Sequence, residues 1–223
     1  MVMTAQGRLP RHTSQENPPP PHPARELFES LPSTFRLRAE IIDGNLLLRP
    51  SGTPQHARIA RRLSRALIPV EDANGWESFS GDVDICIEGP RDTVIPGYCL
   101  VRADAPLWGD REILSSGLIM VAEVVPPGSM ETDRATEPRI YAGCGIPIMP
   151  IIDPVVSPPM VTVLSDPEDG AYRTMAHTEI GKPVRIPAPV DFDLDTSIFL
   201  WSPSDPCSPA PGPEPSAGLR AGP

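Results

Sequence analysis

The run "TVIPGYCLV" (93–101) constrains the fold of this chain more than any other stretch. Its flanks are apolar enough to demand burial as strand, yet Pro96-Gly97 sits between them. Proline removes a ladder donor, and glycine weakens a strand while letting another group approach closely. Three readings stand: an edge or bulge, a tolerated break, or the remnant of a site.

The rest of the chain supplies what this run must pack against. "ARELFESL" (24–31) reads as a short helix with Leu27, Phe28 and Leu31 on one face. "RLRAEIIDGNLLLRP" (36–50) reads as a β-hairpin turning at Asp43-Gly44. "TPQHARIARRLSRAL" (53–67) is an amphipathic helix, capped by Thr53, with Pro54 in its first turn and Ile59, Leu63 and Leu67 as its core stripe. "SFSGDVDICIEG" (78–89) and "GLIMVAEVV" (117–125) are further strand-like runs. "ETDRATEPRIYAGCG" (131–145) reads as a helix ended by glycine, with Pro138 restricting it toward its second half. "IPIMPIID" (146–153), a hairpin over "MVTVLSD" and "AYRTMAH" joined through "PEDG", then "VRIP" and "FDLDTSIF" complete the series. Strands outnumber helices but helices are interleaved, so the class is α/β or α+β with a mixed central sheet. Aromatic residues make up 5%, so aliphatic side chains must fill most of the core.

The ordered domain is expected over 24–201. Residues 1–23 and 202–223 carry too little apolar content to offset ordering entropy, and many of the 32 prolines fall there. No window is long and apolar enough to span a bilayer, and the N-terminus lacks the apolar core of a secretory signal, so a cytoplasmic protein is expected. A formal net charge of −10 argues against a general nucleic-acid coat and against anionic membrane, while leaving room for a local basic patch.

The candidate chemistry starts at Glu123, in "IMVAEVVPPGS". A carboxylate in a buried strand is costly unless paired or metal-bound; alternatively it reaches solvent at the strand end. Glu40 opens a strand in the hairpin and reads equally as a solvated residue. Arg58, Arg61, Arg62 and Arg65 lie mostly off the apolar stripe of their helix, either as phosphate contacts or as a solvated face. His56 reads as a capping or packing residue. Cys86, Cys99, Cys144 and Cys207 form no CxxC pair, so a zinc knuckle is not expected.

Taken in order, "ELFESL", "AEIIDGN", "PSGTPQHARIARRL", "APLWGDREILSSG", "LIMVAEVVPPGS", "DRATEPRIYAGCGIPI" and "IIDP" resemble the Uma-type restriction endonuclease family of the PD-(D/E)XK nuclease superfamily. The resemblance covers about residues 24 to 200. It implies a restriction-endonuclease-like mixed central β-sheet flanked by helices, a Mg²⁺ site for phosphodiester hydrolysis, DNA as substrate, and a possible homodimer. Carried over by position, Glu123 falls on the second metal carboxylate, Glu40 on the N-terminal glutamate, and His56 on a histidine that often opens the following helix. The first metal aspartate falls on Gly97, the lysine on Glu137, and a serine on Pro126. Lys182 is the only lysine and lies far along the chain. The expectation is therefore a Mg²⁺-dependent endonuclease impaired at Gly97 and Glu137, or a non-catalytic binding module on the same fold. Asp84 offers a substitute metal ligand, if 78–89 and 93–101 pair as a hairpin that sets Asp84 opposite Gly97.

Overall fold

The structure, a computed structural model, describes residues 23–31, 38–49, 52–125 and 131–200, with 131–135 as backbone only. The expectations for the two tails and for Pro126 lie outside the described residues.

In chain order the elements are α1 (Pro23–Ser30), β1 (Arg38–Ile42), β2 (Asn45–Arg49), α2 (Pro54–Asn74), β3 (Trp76–Phe79), β4 (Asp84–Cys86), β5 (Thr93–Val94), β6 (Tyr98–Arg102), β7 (Leu107–Trp108), β8 (Glu112–Leu114), β9 (Leu118–Val124), α3 (Glu131–Gly143), β10 (Ile148–Asp153), β11 (Met160–Glu168), β12 (Ala171–Glu179), β13 (Pro183–Ile186) and β14 (Phe192–Asp195). They build two six-stranded mixed sheets and a separate β13–β14 hairpin. The larger sheet runs β12-β11-β10-β9-β6-β3, and the smaller runs β2-β1-β5-β4-β8-β7.

The Pro96-Gly97 break is the point where the chain changes sheets: β5 belongs to the smaller sheet and β6 to the larger. The run at 78–89 divides the same way. Gly81 and Asp82 both take positive φ, 68° and 57°, so the chain turns there and β3 and β4 enter different sheets. This corrects the single-strand reading of both runs. It also corrects the register: Ile85 faces Val94 and Cys86 faces Thr93, while Phe79 faces Cys99. Asp84 is therefore set beside Glu112 of β8 and not across from Gly97.

Local chemistry accounts for the elements that the sequence specifies well. Asp43 and Gly44 have φ of 49° and 72°, the two left-handed residues that a two-residue hairpin turn needs. The β11–β12 turn is the same device at Asp169-Gly170, with Glu168 still paired to Ala171, so Pro167-Glu168 belong to the strand and not to the turn. The Thr53 side chain accepts the His56 N–H at 3.2 Å and caps α2. That helix extends well beyond 67, through Pro69, to a left-handed cap at Gly75. Helix α3 likewise continues through Pro138.

The larger sheet is covered on both faces. Ile59, Leu63 and Leu67 of α2, with Val184 and Leu194 of the β13–β14 hairpin, pack against Tyr98, Met120, Ile148 and Val163. Ile140 and Tyr141 of α3, with Ile85, Val94 and Ile113 of the smaller sheet, pack against Cys99, Val121 and Met149 on the other face. Leu63 and Leu67 are fully buried, a contribution of about 1.5–3 kcal/mol each. In α1, Phe28 is buried but Leu27 is 52% exposed, so Leu27 is not part of the core face.

Candidate functional site at the sheet crossing

Segment 95–97 is gripped from two sides by the two glutamates singled out in the sequence. Glu40 stands on β1, buried beside β5, and its Oε1 accepts the Ile95 N–H at 2.9 Å. Glu123 stands near the end of β9 on the face covered by α3. Its Oε2 accepts the Gly97 N–H at 3.1 Å and its Oε1 accepts the Tyr141 hydroxyl at 2.9 Å. Pro96 has no N–H to place, so the backbone donors of the crossing fall at 95 and 97, one for each carboxylate.

Two arginines complete the cluster. Arg38 and Arg49 are directly opposed across the hairpin, an arrangement that needs nearby anions. Arg49 Nε lies 2.7 Å from Glu40 Oε2, and its Nη1 lies 3.6 Å from Glu137 Oε1. Arg38 donates to the Ile95 carbonyl. His56 leans over Gly97: a Cβ at position 97 would meet the His56 Cε1 and Nε2 at 3.3 Å and the Ala122 carbonyl oxygen at 3.2 Å. The glycine is thus a close-approach residue, as its type allows.

Burial pushes the Glu123 carboxyl up to about 7, with Glu40 adding to the shift. The Tyr141 and Gly97 hydrogen bonds and the Arg38 charge act against it. Burial also raises Tyr141, well above the usual phenol range, with the Glu123 charge as the next cause. His56 is lowered by burial and then by the Arg38 charge.

Of the residues named from sequence, the fold brings together Glu40, Glu123, Gly97, Glu137 and His56. It does not bring Asp84, whose carboxylate takes the Arg111 Nε at 2.8 Å. Lys182 does not join either: it pairs with Glu179 at 2.8 Å on the surface. On α2, Arg61 and Arg65 are exposed and Arg58 is half-buried. Arg62 instead ties α2 to residues 198–200, with its Nη1 donating to the Ile198 and Leu200 carbonyls, both at 2.9 Å. Sequence reasoning missed Arg38, Arg49 and Tyr141. The arginines had a signal, since a two-residue turn at 43–44 forces 38 opposite 49. Tyr141 lies one helical turn after Glu137, on the same face.

A hard divalent cation seeks carboxylate oxygens. Here both oxygens of Glu123 and Oε1 of Glu40 accept protein hydrogen bonds. Glu40 Oε2 makes no hydrogen bond but has the Arg49 guanidinium 2.7 Å away. Gly97 offers no side-chain oxygen, and the positive charge between Glu40 and Glu137 is a guanidinium. Among the described residues, no group of three or more His, Cys, Asp or Glu side chains could hold a metal. As arranged, the donor set does not fit Mg²⁺.

Comparison with known proteins gives two findings. The family model described as "Putative restriction endonuclease", Uma2, matches residues 25–197. A crystal structure of a "putative nuclease belonging to DUF820" from Anabaena variabilis aligns with a TM-score of 0.60 at 17% identity, over 78% of this chain and 95% of that one. No curated protein matches. No helix among the described residues is long and apolar enough to cross a membrane.

Proposed function

This chain belongs to the Uma2 restriction-endonuclease family, and from that premise we propose that it is a member that holds the nuclease fold without Mg²⁺-dependent cleavage. The observation that carries this reading is Arg49. Its guanidinium lies against Glu40 and near Glu137, where the resemblance places a metal carboxylate and a lysine. The remaining residues lock the crossing segment rather than leave it open to water. Glu123 and Tyr141 hold Gly97, Glu40 holds Ile95, and His56 fills the space that a side chain at 97 would take. The role that remains is binding. Arg61 and Arg65 are exposed on α2 and supply cations for a DNA backbone, which needs charge but no sequence code.

The test is a plasmid-nicking assay of the full chain with Mg²⁺ or Mn²⁺. No cleavage above the buffer control is expected. Gly97→Asp with Glu137→Lys should create cleavage that the parent lacks. That pair is made with and without His56→Ala, because the new side chain crowds the ring. Mg²⁺-dependent cleavage by the parent, lost on Glu123→Ala, would overturn the proposal. In parallel, DNA binding measured by fluorescence anisotropy should weaken with salt and on Arg61→Glu with Arg65→Glu. Binding indifferent to both would remove DNA as the partner.

A further inference from the structure

We propose that Arg49 is a resident counter-ion that closes a latent divalent-cation site made by Glu40, Glu123 and Glu137. It rests on the reading that the parent chain does not cleave with Mg²⁺, and it names the side chain that keeps the metal out.

Three carboxylates converge from three elements: Glu40 from β1, Glu123 from β9 and Glu137 from α3. Tyr141, one turn after Glu137 on α3, marks where they meet. Its hydroxyl donates to Glu123 Oε1 at 2.9 Å, and the charges of Glu137 and Glu40 also bear on it. The Glu40 side chain is 6% exposed and that of Glu137 15%. Carboxylates gathered away from water repel one another and need a cation or a proton between them. Glu137 also brings the third acidic side chain that Gly97 does not supply, at the position where the resemblance places lysine.

Arg49 is the cation present. It reaches from β2 diagonally across the hairpin, with Nε 2.7 Å from Glu40 Oε2 and Nη1 3.6 Å from Glu137 Oε1. The contact with Glu40 is one of charge. Its Oε2 is buried yet accepts no hydrogen bond, unlike the bidentate fork that arginine makes with carboxylates elsewhere. An acidic oxygen with positive charge beside it and no N–H upon it is what a hard cation takes as a ligand. Arg38 does not serve this role, because it donates to the Ile95 carbonyl. With the Arg49 guanidinium in place, no group of three such side chains among the described residues could hold a metal. A tethered cation is present at high effective concentration whatever the solution contains, whereas Mg²⁺ gives up its water reluctantly. The Arg49 side chain is 32% exposed, so the position it fills opens to solvent and an ion could enter once it is gone.

The experiment compares the full chain with Arg49→Ala above neutral pH, where protons compete least. Thermal unfolding is followed in Mn²⁺ and in EDTA, and Mn²⁺ binding by titration calorimetry. The parent Tm should be the same in both. Arg49→Ala should have a lowered Tm in EDTA that Mn²⁺ raises, and should bind Mn²⁺ at least about tenfold more tightly than the parent. Adding Glu137→Gln to Arg49→Ala should abolish that gain. Arg49→Lys keeps a positive charge at a contact that needs no fork, so it should stay indifferent to Mn²⁺.

The proposal is overturned by a parent that binds Mn²⁺ as tightly as Arg49→Ala. It is overturned equally by an Arg49→Ala variant that is as stable as the parent in EDTA or gains nothing from Mn²⁺. A gain that survives Glu137→Gln, or one that Arg49→Lys shows as well, overturns it too. If Arg49→Ala does not fold in EDTA, refolding in Mn²⁺ supports the proposal and failure in both overturns it. DNA cleavage by the parent would strike the functional reading instead. The titrations contain no DNA and judge Arg49 alone.

Discussion

Glu112→Ala is expected to lower the unfolding free energy by about 3–5 kcal/mol, because it strands a buried guanidinium. Arg25 enters from α1 and is 3% exposed; Glu112 on β8 is also 3% exposed. Their forks meet at 3.1 and 2.5 Å. Thr93 on β5, fully buried, accepts from Arg25 at 2.5 Å and donates to Glu112 at 2.9 Å. Glu29 remains on the Arg25 Nε at 3.0 Å, but it is exposed and cannot replace a buried partner. Arg25→Ala should be damaging for the converse reason, leaving a buried carboxylate with one hydroxyl donor. Replacing both with apolar residues, Arg25→Met with Glu112→Leu, should restore most of the loss, since the desolvation penalty leaves with the pair. Denaturant unfolding of the three variants measures this. The helix is short and carries one buried apolar anchor, Phe28. Hydrogen exchange on α1 therefore separates local detachment from global loss. Single variants that each cost under about 1 kcal/mol, with α1 still protected, would contradict the account.

Glu123→Gln is expected to stabilise the protein above neutral pH by about 3 kcal/mol, and to have little effect near pH 4.5. The sign follows from the direction of the shift. Burial holds the folded carboxyl near 7, above its unfolded value of 4.5. Between those values the native state keeps a proton that the unfolded state has released. Stability from this group is present in full below 4.5 and is lost as pH rises through 7. His56 works in the opposite direction: its folded value is lowered, so its contribution is lost as pH falls. The wild-type pH profile therefore mixes the two, and the difference between wild type and Glu123→Gln isolates the carboxylate. Glutamine keeps an acceptor for the Gly97 N–H and can donate to the Tyr141 oxygen. A pH-independent difference would show that Glu123 is charged at little cost in the fold.

How far the site could be read in advance varies by residue. Glu123 stood out because a carboxylate inside an apolar run is anomalous wherever it sits, whereas Glu40, at the opening of a hairpin strand, was singled out by the family resemblance. Gly97 and Glu137 stood out against the pattern that the rest of the chain resembles. Arg49 did not, because a basic residue at a strand end is ordinary until its diagonal neighbour across the hairpin is known to be Glu40. Asp84 failed for a related reason. Its register was inferred from two runs treated as single strands, and each run divides between sheets. Arg62 looked like its neighbours on α2, and only the return of the chain at 198–200 distinguishes it.

The sequence by itself determined the local elements: the turn at Asp43-Gly44, the Thr53 cap and the apolar stripe of α2. Each follows from φ preference, hydrogen-bond donors or helical period within a few residues. It also marked Pro96-Gly97 as an anomaly inside a strand-like run, without deciding between a bulge, a tolerated break and the remnant of a site. Only the tertiary structure decided what that break does. Which sheet receives β5 and which receives β6 depends on partners tens of residues away, and nothing within nine residues encodes them. The same long-range packing sets a guanidinium against the Glu40 carboxylate and histidine over the glycine. The break proves to be a crossing between sheets, with its two free amides held by Glu40 and Glu123.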